Sequence, residues 1–334
     1  MKAALFKEKD APLEVMEVLK PLPGKGQVLI KLHAAALNHR DLWIQREQAS
    51  PSINGIILGS DGSGVVEDVG EEVDDDIIGQ EVVINPSMGW GKNPVVQADS
   101  FKILGFPDAG TFSEYIAIAR KQVVEKPSHL SFEEAAAVPL SALTAYRALF
   151  TKARLRPGEK VLVTGVGGGA ALWALKMAVA FQAKVYVTSG QEVKIQNAMA
   201  LGALGGYNYH DSDWSDQLKK AAGGFDVIID SAGGSHFSAL LDLAVPGGRI
   251  VNFGRTAGNI PDLSTRTLYW KQISIFGTTM GTEDEFLSML DFVHKHKIRP
   301  VIDKVFSLAG VNDAFRHMES GGQFGKILLR ITSR

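Results

Sequence analysis

Between residues 161 and 298 the chain repeats one pattern, a short apolar-rich run followed by a segment with helical spacing of its apolar residues. The runs are 161–164, 185–188, 225–229, 250–253 and 273–276, and the segments between them include 170–183, 193–201 and 236–243. Short apolar runs without strict alternation are strands covered on both faces, and helices between them supply the cover. The predicted unit is α/β, a doubly wound parallel sheet. Thr282-x-x-Glu285 caps a further helix through His294. The first 125 or so residues read differently. Runs such as 27–33, 64–70 and 79–84 are β-rich and glycine-bounded, which predicts a β-barrel or sandwich. Residues 85–111 show little period and hold many glycines and prolines, as a long loop or lobe would. Ser131-Phe132-Glu133-Glu134 is a capping box ahead of an Ala-rich helix. Beyond about Arg299 the strand-like pieces Val301-Ile302 and Ile327-Leu328-Leu329 are expected to return to the first domain. The expected division is 1–125, 126–298 and 299–334.

Composition narrows the function. The 334 residues suit roughly two domains, and 45% hydrophobic with 22% charged residues is a globular balance. A net charge of −2 weakens nucleic-acid and anionic-membrane readings. The chain has no cysteine, so disulfides, thiolate zinc sites, iron–sulfur clusters and a cysteine nucleophile are excluded. No run reaches the roughly 18 apolar residues of a membrane helix, and no signal-peptide core precedes the first charges. A cytoplasmic protein with neither nucleic-acid nor membrane partner is expected.

Glycine is enriched, at 35 residues, and its placement carries the sharpest motif. Val161-Leu162-Val163-Thr164-Gly165-Val166-Gly167-Gly168-Gly169-Ala170 matches the dinucleotide fingerprint, with a strand before it and a helix after. Gly165 would allow the tight turn, Gly167 the approach of a pyrophosphate, and Ala170 close strand–helix packing. The neighbouring Gly168 and Gly169 belong to the same cradle at a helix N-terminus, where amides favour an anion. A merely structural glycine turn is the alternative. The next strand ends at Ser189, where an NAD site usually has an acid for the ribose 2′-hydroxyl. A hydroxyl with Lys194 nearby accepts a 2′-phosphate that a carboxylate would repel, so NADP(H) is preferred to NAD(H). The alternative for Lys194 is a solvated helix residue. Later strands end in small residues, with Ser231 and Gly233, Phe253 and Gly254, and Phe276, Gly277 and Thr278 on the side where such sheets bind ligands.

The sequence resembles the medium-chain dehydrogenase/reductase superfamily over essentially its whole length. The resemblance is carried by Ala34-Ala35-Ala36-Leu37-Asn38-His39-Arg40-Asp41, Gly59-Ser60-Asp61-Gly62-Ser63-Gly64, Gly110-Thr111-Phe112-Ser113-Glu114-Tyr115 and Val138-Pro139-Leu140-Ser141-Ala142-Leu143-Thr144-Ala145-Tyr146. The glycine-rich turn, Pro246-Gly247-Gly248-Arg249 and Gly325-Lys326-Ile327 continue it. It implies a GroES-like β-barrel catalytic domain, completed by the C-terminal segment, around a Rossmann domain. Zinc-dependent members have a cysteine ligand where this chain has Asn38, a histidine where it has Ser60, and a third ligand near Leu140. The resemblance is therefore to the zinc-free branch of quinone oxidoreductases and enoyl or alkenal reductases. In that branch the equivalents of Asn38 and Thr144 lie by the cofactor, and those of Ser189, Lys194 and Tyr209 bind the 2′-phosphate. Lys326 is counted with the cofactor-binding residues.

The expected activity is zinc-independent, NADPH-dependent hydride transfer to a quinone, enone or alkenal. Without a Lewis acid a simple ketone is hard to polarise, whereas a conjugated acceptor spreads the charge it gains. Asn38 is a reasonable hydrogen-bond donor to that charge. His39 is the candidate general acid, with solvent as the substitute. A histidine satisfying backbone groups is the bland alternative for it. A rebuilt metal site using His39 and Asp61, and a non-catalytic NADPH-binding sensor, are the competing functions. The apolar edge strand 272–276 is expected to be covered by a second copy in a homodimer.

Overall fold

The repeating pattern folds into a six-stranded, all-parallel sheet. Its strands are β1 (Lys160–Val163), β2 (Lys184–Ser189), β3 (Gly205–Asn208), β4 (Phe225–Asp230), β5 (Ala244–Asn252) and β6 (Ser274–Gly277), in the order β3-β2-β1-β4-β5-β6. Helices α1 (Gly169–Ala180), α2 (Glu192–Ala200), α3 (Trp214–Ala222), α4 (Phe237–Leu243) and α5 (Thr265–Trp270) connect successive strands. The order reverses between β1 and β4, which is the topological switch point of a Rossmann sheet. Val161, Leu162, Val163, Val185, Val187, Val227, Ile228 and Ile229 are fully buried, as strands covered on both faces require. α1 is apolar nearly all round because it too is enclosed. Its one charge, Lys176, is half-buried, and burial lowers its amine pKa.

The computed structural model describes residues 1–48 and 55–332, divided into two compact units. The sheet above belongs to the unit Ala142–Met280; the other comprises Met1–Ser141 and Gly281–Arg334. In the latter, strand Gln27–Ala36 is the organising element of a seven-stranded sheet. It pairs antiparallel with Asp61–Val69, Tyr115–Ala119 and Lys326–Arg330, and the last of these runs parallel to Ile302–Ser307. The C-terminal segment thus returns to the first sheet, with Leu328 opposite Ala36. A three-stranded sheet joins Glu14–Glu17, Lys2–Phe6 and Ile56–Ile57.

The unit boundaries differ from those drawn at 125 and 298. Residues 126–141 and 281–298 lie with the first unit, and packing explains why. Ala136 and Ala137 are buried against Ala34, Ala36 and Leu328. Ser63 Oγ donates to Phe132 O at 2.5 Å, and Ser87 Oγ to Gly281 O at 2.5 Å. Glu134 is bound at both oxygens by Arg299. Small residues let a helix and strands approach closely, and that proximity is invisible in a one-dimensional pattern. The aperiodic 85–111 stretch contains the hairpin Ser87–Met88 with Lys102–Ile103. Its tip is held by an edge-to-face contact of Trp90 with Phe101 at 5.2 Å and by Trp90 Nε1 donating to Asn93 O at 3.0 Å.

Candidate active site

Each unit holds a constellation of functional residues. In the Rossmann unit the turn after β1 carries Gly165 at φ +61° and Gly167 at φ +148°, conformations that L side chains rarely adopt. Gly168 is the N-cap of α1, Gly169 its first residue, and Ala170 follows inside its first turn. The first amides of α1 have no partner within the helix, and such a helix N-terminus favours an anion. The turn is pinned from the neighbouring strand: Gly165 N–H donates to Thr188 Oγ1 at 3.3 Å and Val166 N–H to Thr188 O at 2.8 Å.

Asp230, at the end of β4, ties three strand ends together. It is 2% exposed and accepts from Thr164 Oγ1 at 2.7 Å, Gly233 N at 2.9 Å and Asn252 Nδ2 at 2.7 Å. Sequence reasoning gave it no role, although an acid closing an apolar strand was a signal. Around it stand the predicted strand-end residues. Ser231 Oγ reaches Thr164 O at 3.4 Å, Phe253 N donates to Asp230 O, and Gly254 O accepts from Asn252 Nδ2. Phe276 and Gly277 end β6, and Thr278 N donates to Asn252 O at 3.0 Å. Among the described residues the buried Thr278 Oγ1 has no partner, a vacancy that suits a ligand group. Thr144 is buried on helix Pro139–Tyr146.

At the end of β2 the backbone brings Tyr209 to Ser189, and Lys194 lies on the helix that follows. Ser189 O accepts from Tyr209 N at 3.1 Å, and Lys194 lies in the first turn of α2, 8% exposed. A Cβ on Gly190 would stand 2.7 Å from Tyr209 Oη and 2.8 Å from His210 Nε2. Only glycine lets that hydroxyl and imidazole converge beside Ser189. His210 was missed because its neighbours, rather than any motif, bring it there. The cradle and the unpartnered Thr278 hydroxyl fit a dinucleotide.

In the first unit Asn38 precedes helix His39–Glu47, and its backbone N–H donates to Asp41 Oδ2 at 2.8 Å. Its side chain belongs to a buried ionic cluster. Asn38 Nδ2 donates to Asp61 Oδ2 at 2.9 Å. Lys326 Nζ donates to Asn38 Oδ1 at 2.7 Å, Leu37 O at 2.8 Å and Asp61 Oδ2 at 3.0 Å. Leu140 N–H donates to Asp61 Oδ1 at 2.8 Å. Lys326, expected at the cofactor, therefore spends all three ammonium protons inside the protein.

The flanking charges are placed by the same helix. Arg40 donates to Ser60 Oγ at 2.9 Å and Leu104 O at 3.0 Å, and Ser60 Oγ in turn donates to Leu104 O. Burial pushes the Asp41 carboxyl up to about 6, against the opposing pull of Arg40 and the Asn38 N–H, and its Oδ1 has no partner among the described residues. His39 is half-buried, and burial followed by repulsion from Lys326 lowers its pKa.

These residues do not fit a zinc ion. Asn38 and Ser60 are committed to Asp61, Lys326, Arg40 and Leu104, Leu140 has no ligating side chain, and an ammonium already bridges Asn38 and Asp61. Among the described residues no group of three or more histidines, cysteines and acids converges as a metal site. His39 and Asp61 thus gain no third ligand.

Comparison with known proteins agrees with this anatomy. Residues 24–128 match the model of the alcohol dehydrogenase GroES-like domain, and residues 165–295 that of the zinc-binding dehydrogenase. A zinc-type alcohol dehydrogenase-like protein of Leptosphaeria maculans is 35% identical, covering 96% of this chain and 95% of the relative. Quinone oxidoreductase-like protein 2 of Rattus norvegicus is 30% identical over 99% of this chain and 92% of its own. Among solved structures, an NAD-dependent alcohol dehydrogenase superposes with a TM-score of 0.94 at 36% identity, covering 99% of this chain and 100% of that one.

Proposed function

The chain belongs to the medium-chain dehydrogenase/reductase superfamily, and from that premise we propose that it is a zinc-independent, NADPH-dependent oxidoreductase acting on a conjugated carbonyl. The observation that carries this reading is the Lys326 ammonium seated between Asn38 and Asp61, where a catalytic metal would need ligands. The family binds a nicotinamide dinucleotide, which supplies the hydride when bound. In this chain the Gly165–Gly169 turn holds the pyrophosphate. Ser189, Lys194 and Tyr209 hold the 2′-phosphate, while Thr144 and the ends of β4, β5 and β6 receive the ribose and ring.

On the substrate side Asn38 donates a hydrogen bond to the oxygen that gains charge. Such donors suffice for a quinone, enone or alkenal, in which the charge is already delocalised. The lowered pKa of His39 leaves little imidazolium near neutrality, so solvent is the better proton source. NADH is the competing cofactor, because the 36% identical structure bears an NAD-dependent name. What favours NADPH is that β2 ends in Ser189 with Lys194 beside it, not in a carboxylate. Among the described residues β6 has β5 as its one sheet neighbour, and Tyr269 and Trp270 beside it are 66% and 79% exposed, which supports a homodimer through this edge.

The test is NADPH oxidation, followed by absorbance, with quinones, 2-alkenals and enones beside saturated aldehydes, and NADH in parallel. Turnover of conjugated acceptors with NADPH is expected. Turnover confined to saturated substrates, or confined to NADH, would overturn the corresponding half of the reading.

A further inference from the structure

An amide has a donor end and an acceptor end, and what Asn38 can do depends on which is left free. Its oxygen faces an ammonium at 2.7 Å and its nitrogen a carboxylate at 2.9 Å. Turning the group over would set NH2 against Lys326 and the carbonyl against Asp61, so charge fixes its orientation. Lys326 has no proton left, since Leu37 O, Asn38 Oδ1 and Asp61 Oδ2 take all three. Asp61 Oδ1 is taken by the Leu140 N–H, and Oδ2 by Asn38 and Lys326. Among the described residues one donor remains in the cluster, the second Nδ2–H of Asn38. Asn38 is also the least enclosed of the three, at 7% exposed against 4% for Lys326 and 0% for Asp61. A cation on the amide oxygen draws density from the nitrogen and strengthens the remaining N–H as a donor.

We propose that Lys326 and Asp61 are positioning residues for the reduction, locking Asn38 so that one polarised N–H is left for the substrate oxygen that gains charge. This assignment rests on the reductase reading above. It gives Lys326 a role other than the cofactor-binding one expected of it, and neither Lys326 nor Asp61 touches substrate.

The test is a kinetic cycle on wild type, Asn38→Ala, Lys326→Met, Asp61→Asn and the Asn38→Ala/Lys326→Met pair, with the NADPH Kd of each measured by calorimetry. Asn38→Ala is expected to lose about 100-fold in kcat, the scale for removing one charge-stabilising donor. Lys326→Met and Asp61→Asn are expected to lose about 10- to 100-fold in kcat, with NADPH Kd changed by less than about threefold. The double variant should be no slower than Asn38→Ala alone, because a residue acting through Asn38 then has nothing to act on. Should Lys326→Met fail to fold around an uncompensated Asp61, the neutral pair Asp61→Asn/Lys326→Gln replaces it in the cycle.

Multiplying losses in the double variant, an unchanged kcat in Asp61→Asn, or an NADPH Kd that rises in step with the lost activity would each overturn the positioning role. A wild type silent toward every conjugated acceptor would instead bring down the reductase reading, and this inference with it.

Discussion

A lysine at position 194 reads from the sequence as either a solvated helix residue or a phosphate ligand; with 8% of it exposed it is not the solvated residue, and the phosphate role is the reading proposed above. Lys194→Ala is expected to weaken NADPH binding about tenfold, about 1.4 kcal/mol, and to leave NADH unchanged. Equal losses for the two cofactors in a binding titration would remove the 2′-phosphate role. Asp41 offers a test of burial itself. Its carboxyl is raised from 3.8 to about 6, chiefly by burial. A carboxyl raised on folding holds its proton more tightly in the native state, so its stabilising effect is complete at acid pH and is lost as pH rises through about 6. At about 1.4 kcal/mol per pH unit, that rise is worth about 3 kcal/mol. Asp41→Asn keeps an acceptor for the Asn38 N–H without the charge. It is expected to gain about 2 kcal/mol on wild type between about pH 4 and pH 7, most of that penalty, read by urea unfolding at both. A pH-independent difference would show that Asp41 carries no such penalty. Single-residue placement was legible where a motif framed it, as for Asn38 ahead of its helix, Ser189 at the end of β2 and Gly165 in the turn after β1. The Lys326 partnership was not, because 265 positions separate it from Asp61, and they meet because Leu328 and Asp61 both pair with Ala36 from opposite sides of one strand.

At the scale of elements, the strands of the parallel sheet announce themselves because burial on both faces demands apolar runs. Helix Glu283–Lys295 was equally legible from its cap: Thr282 Oγ1 accepts from Glu285 N at 3.1 Å and Glu285 Oε2 from Thr282 N at 2.8 Å. Thr282→Ala is expected to cost about 1 kcal/mol in chemical denaturation, and a loss near zero would mean that the helix is held by packing of Phe286, Met289 and Val293 alone. Helices His39–Glu47 and Thr265–Trp270 left weaker traces, whereas Val311–Glu319 carries buried apolar residues at helical spacing, Val311, Ala314, Phe315 and Met318, that the sequence reading passed over. The first two are short and largely polar, and Thr265–Trp270 has no buried residue. Helix Pro139–Tyr146 was hidden because nearly every position in it is buried, which removes the polar face that sets a period.

For the whole molecule, composition and pattern conveyed two units and their order, and the β-rich, then α/β arrangement is what the structure contains. Where one unit ends was less legible. Residues 281–298 continue the helical pattern of the sheet unit yet belong to the other, through contacts such as Ser87 Oγ with Gly281 O. The exposed Trp270 and Tyr269 beside the free edge of β6 lead to an expectation about assembly. Light scattering should give twice the 36.0 kDa of the chain, and Trp270→Glu should move it toward one copy. A monomeric wild type would show that the edge is left bare. The central claim is that an internal ammonium stands where related enzymes place a metal. Its most direct test is the rate of NADPH oxidation with one conjugated acceptor, measured on the same protein before chelation, after it, and after zinc is restored. The same rate in all three is predicted. Activity lost on chelation and returned by zinc would contradict the claim.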